Sequence, residues 1–319
     1  MEVGSRNTAH ICYMKKKKKK ISSSQLALMS MLIPGCIYLL INNYTPMMGL
    51  FIAFKNINYT QGIFKSAWCG LNNFKFLFSS GDAWVITRNT LLYNLAFIVL
   101  NMFFGIVFAI LLNEIVSSLL KKFFQTIILM PQIISMVIVS YLVYAFLSGE
   151  SGFINNTILR NMGKESINWY SEPKYWSGLL IFIQSWKTVG YSTLLYLASV
   201  VGIDTTLYEA SEMDGATKMQ QIFYITIPLL KNTMITIALL MIGRIFYSDF
   251  GLFYQVPMNS GALFNVTQTI DTYVYRGLMS VGNIGMSAAA AFYQSIVGFV
   301  VVLVSNWIVS KVDASSALF

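Results

Sequence analysis

The sequence predicts an all-α, polytopic membrane protein with six transmembrane helices and a cytoplasmic helical hairpin. Three observations carry this expectation. The 319 residues are 56% hydrophobic and 11% charged, with a mean hydropathy of +0.61, too apolar for an ordinary soluble domain. Long runs with few or no charges recur, each sufficient to cross a hydrocarbon core of about 30 Å. A polar, turn-centred island, residues 206–228, interrupts them late in the chain.

Taken in order, residues 1–13 show no periodicity. Met14 followed by Lys15 to Lys20 reads as a more natural start, and residues 1–20 as a basic cytoplasmic tail held against anionic lipid. A secretory leader is the competing reading of this basic start. The uncharged run 21–54 is longer than the core of such a leader and has no clear small-residue cleavage site, which favours a retained first helix. Pro46 and Gly49 suggest that its end bends. Residues 55–84 read as an external loop with a short interfacial helix. Spans over about 89–113 and 123–149 flank a short basic loop with Lys121 and Lys122, and 150–175 form a second polar external segment. The fourth span, 176–201, contains Lys187. The fifth, 233–254, contains Arg244 and Asp249. A third external loop, 256–283, precedes the sixth span, 285–310, so that residues 21–319 form one transmembrane domain.

Six spans place both termini on one side. The Lys15 to Lys20 run with Arg6, Lys121, Lys122, Lys218, Lys231 and Lys311 outnumbers the basic residues of the other face, so termini and hairpin are expected in the cytoplasm. Six of the nine net positive charges are that lysine run, which argues for lipid and against nucleic acid as the basic partner. Cys12, Cys36 and Cys69 lie far apart and His10 stands alone, so neither a metal centre nor a redox pair is expected.

The polar island carries its own local signals. Thr206 and Glu209 have capping-box spacing, which starts a helix, and Asp214-Gly215 supplies a turn. Thr217 and Gln220 repeat the capping pattern. Ile222, Phe223, Ile225 and Ile227 then give an apolar side, and Pro228 marks an end at Ile227. Glu209-Ala210-Ser211, Asp214-Gly215-Ala216 and Ile225-Thr226-Ile227-Pro228 resemble the EAA loop of permease subunits of binding-protein-dependent ABC importers. Ser211 stands where alanine is usual, and Ile227 where leucine is. Leu32-Ile33-Pro34-Gly35, Tyr44-Thr45-Pro46-Met47, Ile52-Ala53-Phe54-Lys55, Trp186-Lys187, Gly202-Ile203-Asp204 and Thr272-Tyr273-Val274-Tyr275-Arg276 resemble the LplB-like polysaccharide permeases, over essentially the whole chain after Met14.

The resemblance implies a type I importer fold with a coupling loop over 204–230. Its implied partners are a second homologous permease, two copies of a cytoplasmic ATPase, an extracellular substrate-binding lipoprotein and an oligosaccharide. The residues implied to couple to the ATPase are Glu209, Ala210, Asp214, Gly215, Ala216, Ile225 and Pro228. The chain has no G-x-x-x-x-G-K-[ST] loop, so no cofactor is expected on it, and ATP with Mg belongs to the partner ATPase.

Ionisable groups within a membrane are costly and point to function, which singles out Lys187, Arg244 and Asp249. Arg244 and Asp249 on one helix point about 140° apart, poor partners unless that helix breaks near Gly243 or Gly251, so Lys187 with Asp249 is the expected pair, either a sugar contact or an ion pair that fixes packing. Gln184, Trp186 and Tyr191 beside Lys187 add hydrogen-bonding groups and an aromatic platform suited to a saccharide. The rival is an ion-gradient-driven secondary transporter of a small polar solute, which would use Asp249 as its midplane carboxylate and should show an internal repeat; none is detected. A membrane-embedded enzyme would need clustered His, Asp or Glu, which the spans lack.

Overall fold

In hydrocarbon every backbone N–H and C=O needs a partner within the protein, and an apolar run meets that demand by folding as a helix. A computed structural model describes residues 23–79 and 81–312; among these no strand forms, and the β-bridge between Lys55 and Trp68 stands alone. The basic tail 1–20 and the choice of Met14 as start fall outside the described residues.

The chain divides into two compact units, residues 1–49 and 50–319. In the first, α1 (Ser23–Leu39) tolerates Pro34 in its interior and runs into a π turn, Leu40–Tyr44, before a short turn carrying Pro46. The widened turn ahead of the proline is the bend that Pro46 suggested. Side chains from Leu28 to Met48 are exposed, an apolar surface suited to lipid.

The second unit comprises α2 (Asn72–Ser79), α3 (Asp82–Asn113), α4 (Ser118–Ile133), α5 (Met136–Leu147), α6 (Pro173–Val201), α7 (Thr205–Met213), α8 (Lys218–Leu229), α9 (Lys231–Ile242), α10 (Ile270–Met279) and α11 (Ile284–Val312). Helix α3 is its spine, because each of three buried apolar clusters takes residues from it. Ala83 and Ile86 pack with Phe246, Ile270 and Met286 near its start, and Tyr93 and Phe97 pack with Trp176, Leu180 and Phe253 further along. Ala109 and Leu112 pack with Tyr196 and Leu197 near its end. Helix α6 lies along most of α3 and brings Ser192 and Tyr196 within 3.1 Å of the place a side chain on Gly105 would occupy.

Three helical stretches are long and apolar enough to cross a membrane: Leu28–Phe54, Asp82–Asn113 and Ile284–Lys311. Two bent pairs, α4 with α5 at 91° and α8 with α9 at 57°, raise the number to five if each pair is one span. Helix α6 has the length, at 29 residues, but Gln184, Lys187, Thr188, Ser192 and Thr193 lower its hydropathy, so the count of six remains an expectation.

The structure corrects three local readings. Lys121 and Lys122 lie inside α4, which begins early because Ser117 caps it. Pro228 does not end its helix: a π turn over Ile222–Thr226 absorbs the missing donor, Leu230 N donates to Thr226 O across the proline, and the break falls at Leu230. The fifth span is helical only to Ile242, and residues 243–249 are unwound.

Candidate functional site

The hairpin of α7 and α8 satisfies itself locally. Asp204 Oδ1 accepts from Thr206 N at 3.0 Å, and this bond holds the Asp204 carboxyl below the usual carboxylate range. Asp204, not Thr206, is therefore the cap of α7, since the backbone is extended at Asp204 and already helical at Thr205. Glu209 then has no capping duty; it is exposed and makes no hydrogen bond or ion pair among the described residues.

Gly215 turns the chain at φ +79°, a conformation costly for any residue with a Cβ, and Ala216 N closes the turn onto Ser211 O at 2.9 Å. The capping box of Thr217 and Gln220 forms as the sequence suggests. Lys218 Nζ meets Glu212 Oε1 at 2.7 Å and braces one helix against the other, which lowers the Glu212 pKa and raises that of Lys218. Ser211, the departure from alanine, accepts from Gln221 Nε2 at 2.9 Å. A recess of about 330 Å³ opens between the helices, lined by Asp214, Gly215, Ala216, Tyr224 and Ile225 among others, while Ala210 and Pro228 are exposed.

A second cavity, of about 530 Å³, lies within the helix bundle. Its walls are Asn94, Phe97, Ile98 and Asn101 of α3, Gln184, Thr188, Tyr191, Ser192 and Leu195 of α6, and Ile237, Leu240 and Met241 of α9. Gln132, near the end of α4, and Arg244, Tyr247, Ser248 and Asp249, from the break after α9, complete it. Of the residues expected along a substrate path, Gln184, Tyr191, Arg244 and Asp249 thus meet at one cavity, whereas Trp186 and Lys187 are not part of its lining. Arg244 and Asp249 come together because α9 unwinds after Ile242. Asp249 Oδ1 accepts from Leu252 N at 3.0 Å and so starts the next helical piece, while Arg244 has no partner among the described residues. The buried Gln184 Oε1 also lacks one.

The expected pair of Lys187 with Asp249 does not form. Lys187 Nζ donates instead to Pro131 O at 3.3 Å, Gln132 O at 3.1 Å and Ile134 O. The bend between α4 and α5 places these carbonyls at the end of the helix against which Lys187 packs; Pro131 O also accepts from Ile134 N at 3.3 Å.

The break at 243–249 is held by residues distant in sequence. Asn94 Nδ2 donates to Ile245 O at 2.9 Å and Tyr247 O at 3.1 Å, and Gln294 Nε2 to Phe246 O at 2.6 Å. Asp271 Oδ2 accepts from Ser248 N at 2.6 Å and Ser248 Oγ at 2.7 Å. Irregular backbone survives at membrane depth only when buried in protein or beside a cavity; here Phe246 is buried, and Arg244, Tyr247, Ser248 and Asp249 line the cavity. Sequence reasoning missed Asn94, Asn101, Gln132 and Gln294; the available signal was a lone amide in an otherwise apolar run. The segment Thr272 to Arg276 is structural: Thr272 caps α10 with Thr269, and Arg276 lies 3.9 Å from the Phe264 ring and donates to Asn259 Oδ1 at 2.8 Å.

Residues 101–314 match the family of binding-protein-dependent transport system inner membrane components. The chain is similar to the polygalacturonan/rhamnogalacturonan transport system permease protein YteP of Bacillus subtilis (strain 168), 34% identical over 306 residues and 94% of each chain. It is also similar to protein LplB of the same organism, 33% identical over 284 residues, 89% of this chain and 88% of that one. Among solved structures, it superposes on a chain of a bacterial ABC transporter involved in import of the acidic polysaccharide alginate. The TM-score is 0.81 and the identity 30%, covering 91% of this chain and 97% of the other. A second structure of the alginate transporter, in complex with a periplasmic protein carrying an alginate pentasaccharide, gives a TM-score of 0.80.

Proposed function

The chain belongs to the family of binding-protein-dependent transport system inner membrane components, and from that premise we propose that it is the permease that passes an oligosaccharide through the 530 Å³ cavity of an ATP-driven importer. It pairs with a second homologous permease and receives its sugar from an extracellular substrate-binding lipoprotein. Two copies of a cytoplasmic ATPase, holding ATP and Mg, drive it, and the termini and hairpin face the cytoplasm. Amides and hydroxyls from Asn94, Asn101, Gln132, Gln184, Thr188 and Ser192 suit the hydroxyl-rich surface of a saccharide, and Tyr191 and Tyr247 offer flat apolar faces.

The observation that carries the coupling role is Glu209. Its carboxylate is exposed and unpartnered on a hairpin whose caps, turn and ion pair are all supplied by other residues. A charge that the hairpin does not need is available to a partner, and Gly215 presents backbone without a side chain beside it. Replacing Glu209 by Ala leaves the permease folded and in the membrane. In the purified importer, saccharide uptake and saccharide-stimulated ATP hydrolysis fall together by about tenfold, the effect of losing one charge-assisted contact of roughly 1.5 kcal/mol. Gly215→Val meets no neighbour within 4 Å but strains a turn at φ +79°, and it lowers both uptake and stimulated hydrolysis further. Full stimulated hydrolysis in an importer carrying both substitutions refutes the coupling assignment.

A further inference from the structure

Helix α4 ends at Ile133 and α5 starts at Met136, capped by Ser135, so the chain turns through 91° within two residues. At that corner the carbonyls of Pro131, Gln132 and Ile134 converge on a single point, at the negative end of the α4 dipole. Unwound carbonyls at the C-terminal end of a half-helix are the arrangement by which membrane proteins hold a monovalent cation. Here the point is filled by the ammonium of Lys187, whose three N–H donors match the three carbonyl acceptors. One turn along α6, Gly190 permits the approach: a Cβ there would lie 2.1 Å from Ile128 O.

We infer that Lys187 is a tethered cation occupying a monovalent-cation site at the helix break, and that transport depends on its charge and donors rather than on the volume of its side chain. The site takes an alkylammonium ion when the tether is removed. Lys187 is a positioning residue: it touches Gln132, which lines the cavity, but is not part of the lining itself. This rests on the proposed transport of a saccharide through that cavity.

The test compares Lys187→Ala and Lys187→Met in the assembled importer in liposomes, with n-propylammonium or tetramethylammonium at equal concentration. Propylammonium replaces the three carbons and the ammonium that Lys187→Ala removes; tetramethylammonium has the charge but no N–H. Both variants lose about tenfold or more of uptake, because Gln132 O and Ile134 O lose their donor and Pro131 O keeps only Ile134 N. Propylammonium restores uptake in Lys187→Ala and raises its thermal unfolding midpoint, tetramethylammonium does neither, and Lys187→Met responds to neither ion. If Lys187→Ala fails to assemble, recovery of assembly when propylammonium is present during extraction supports the inference, and failure to recover counts against it. Wild-type uptake by Lys187→Met, or no response of Lys187→Ala to propylammonium in either readout, overturns it. Uptake by the unsubstituted importer, measured alongside, tests the transport reading separately; if that importer carries no saccharide, the unfolding midpoint alone decides the cation site.

Discussion

The hairpin and the bundle cavity satisfy their backbones in opposite ways. In the hairpin, the cap of α7, the turn at Gly215 and the capping box of α8 all join residues within a few positions of one another. At the cavity, the breaks are sealed across the fold: Asn94 reaches Ile245 and Tyr247, Gln294 reaches Phe246, and Lys187 reaches Pro131, Gln132 and Ile134. The hairpin can therefore keep its shape while the surrounding bundle rearranges. The cavity cannot change shape without some of its seals being remade.

Substitutions can break that comparison, and the largest expected effect is in the bundle. Gly190→Ala puts a Cβ 2.1 Å from Ile128 O, a backbone atom that cannot swing away, so α4 and α6 must part. Overpacking of this kind costs about 1–3 kcal/mol or more. Assembled permease should disappear from size-exclusion profiles of detergent extracts, and uptake with it; a normal profile would mean that the helices separate easily and that the bundle is looser than the contacts imply.

Asn94→Ala comes next. It leaves the part-buried Ile245 O and the exposed Tyr247 O without their side-chain donor, at about 1 kcal/mol. Uptake should fall several-fold while the ATPase still binds the membrane fraction, since the hairpin is untouched. Loss of ATPase binding would show that the two regions are not separable.

The smallest effect belongs to the cap. Asp204→Ala should speed amide hydrogen exchange at Thr206 and leave uptake unchanged, whereas Thr206→Ala should alter neither quantity. Because the Asp204 pKa is depressed, the cap is at full strength above the ordinary carboxylate pKa and fades as pH falls through the lower, folded value. Exchange at Thr206 in the parent protein should accelerate over that acidic window, and a flat response would remove Asp204 as the cap.

The same contrast explains what was legible in the sequence. Asp214-Gly215 and Thr217 with Gln220 fold as local chemistry dictates, because the atoms that satisfy one another are close in the chain. Even there the first cap was misplaced by two residues, since Asp204 and Thr206 are both good caps and only the backbone angle at Asp204 decides between them. The apolar runs gave the helices, and Pro46 and Gly243 marked two of their breaks, but not what seals them. Nothing near Ile134 or residues 243–249 announces that the donors arrive from α6, α3 and α11. Lys187, Arg244 and Asp249 stood out as costly groups, and Arg244 and Asp249 line the cavity. The pairing of Lys187 with Asp249 failed because the carbonyls competing for the ammonium belong to the backbone, which carries no mark in the sequence.

The polar stripe along α6 bears on how this protein is made. A lysine at the middle of a lone helix opposes its entry into a bilayer by about 3 kcal/mol, and Gln184, Thr188, Ser192 and Thr193 add to that reluctance. Helix α3 emerges from the ribosome about ninety residues earlier and offers Asn101, which accepts from Thr188 and Ser192, while α4 offers the carbonyls that take up Lys187. As the fourth span that the sequence predicts, α6 would owe its residence in the bilayer to α3 and α4, which the order of synthesis supplies before it arrives.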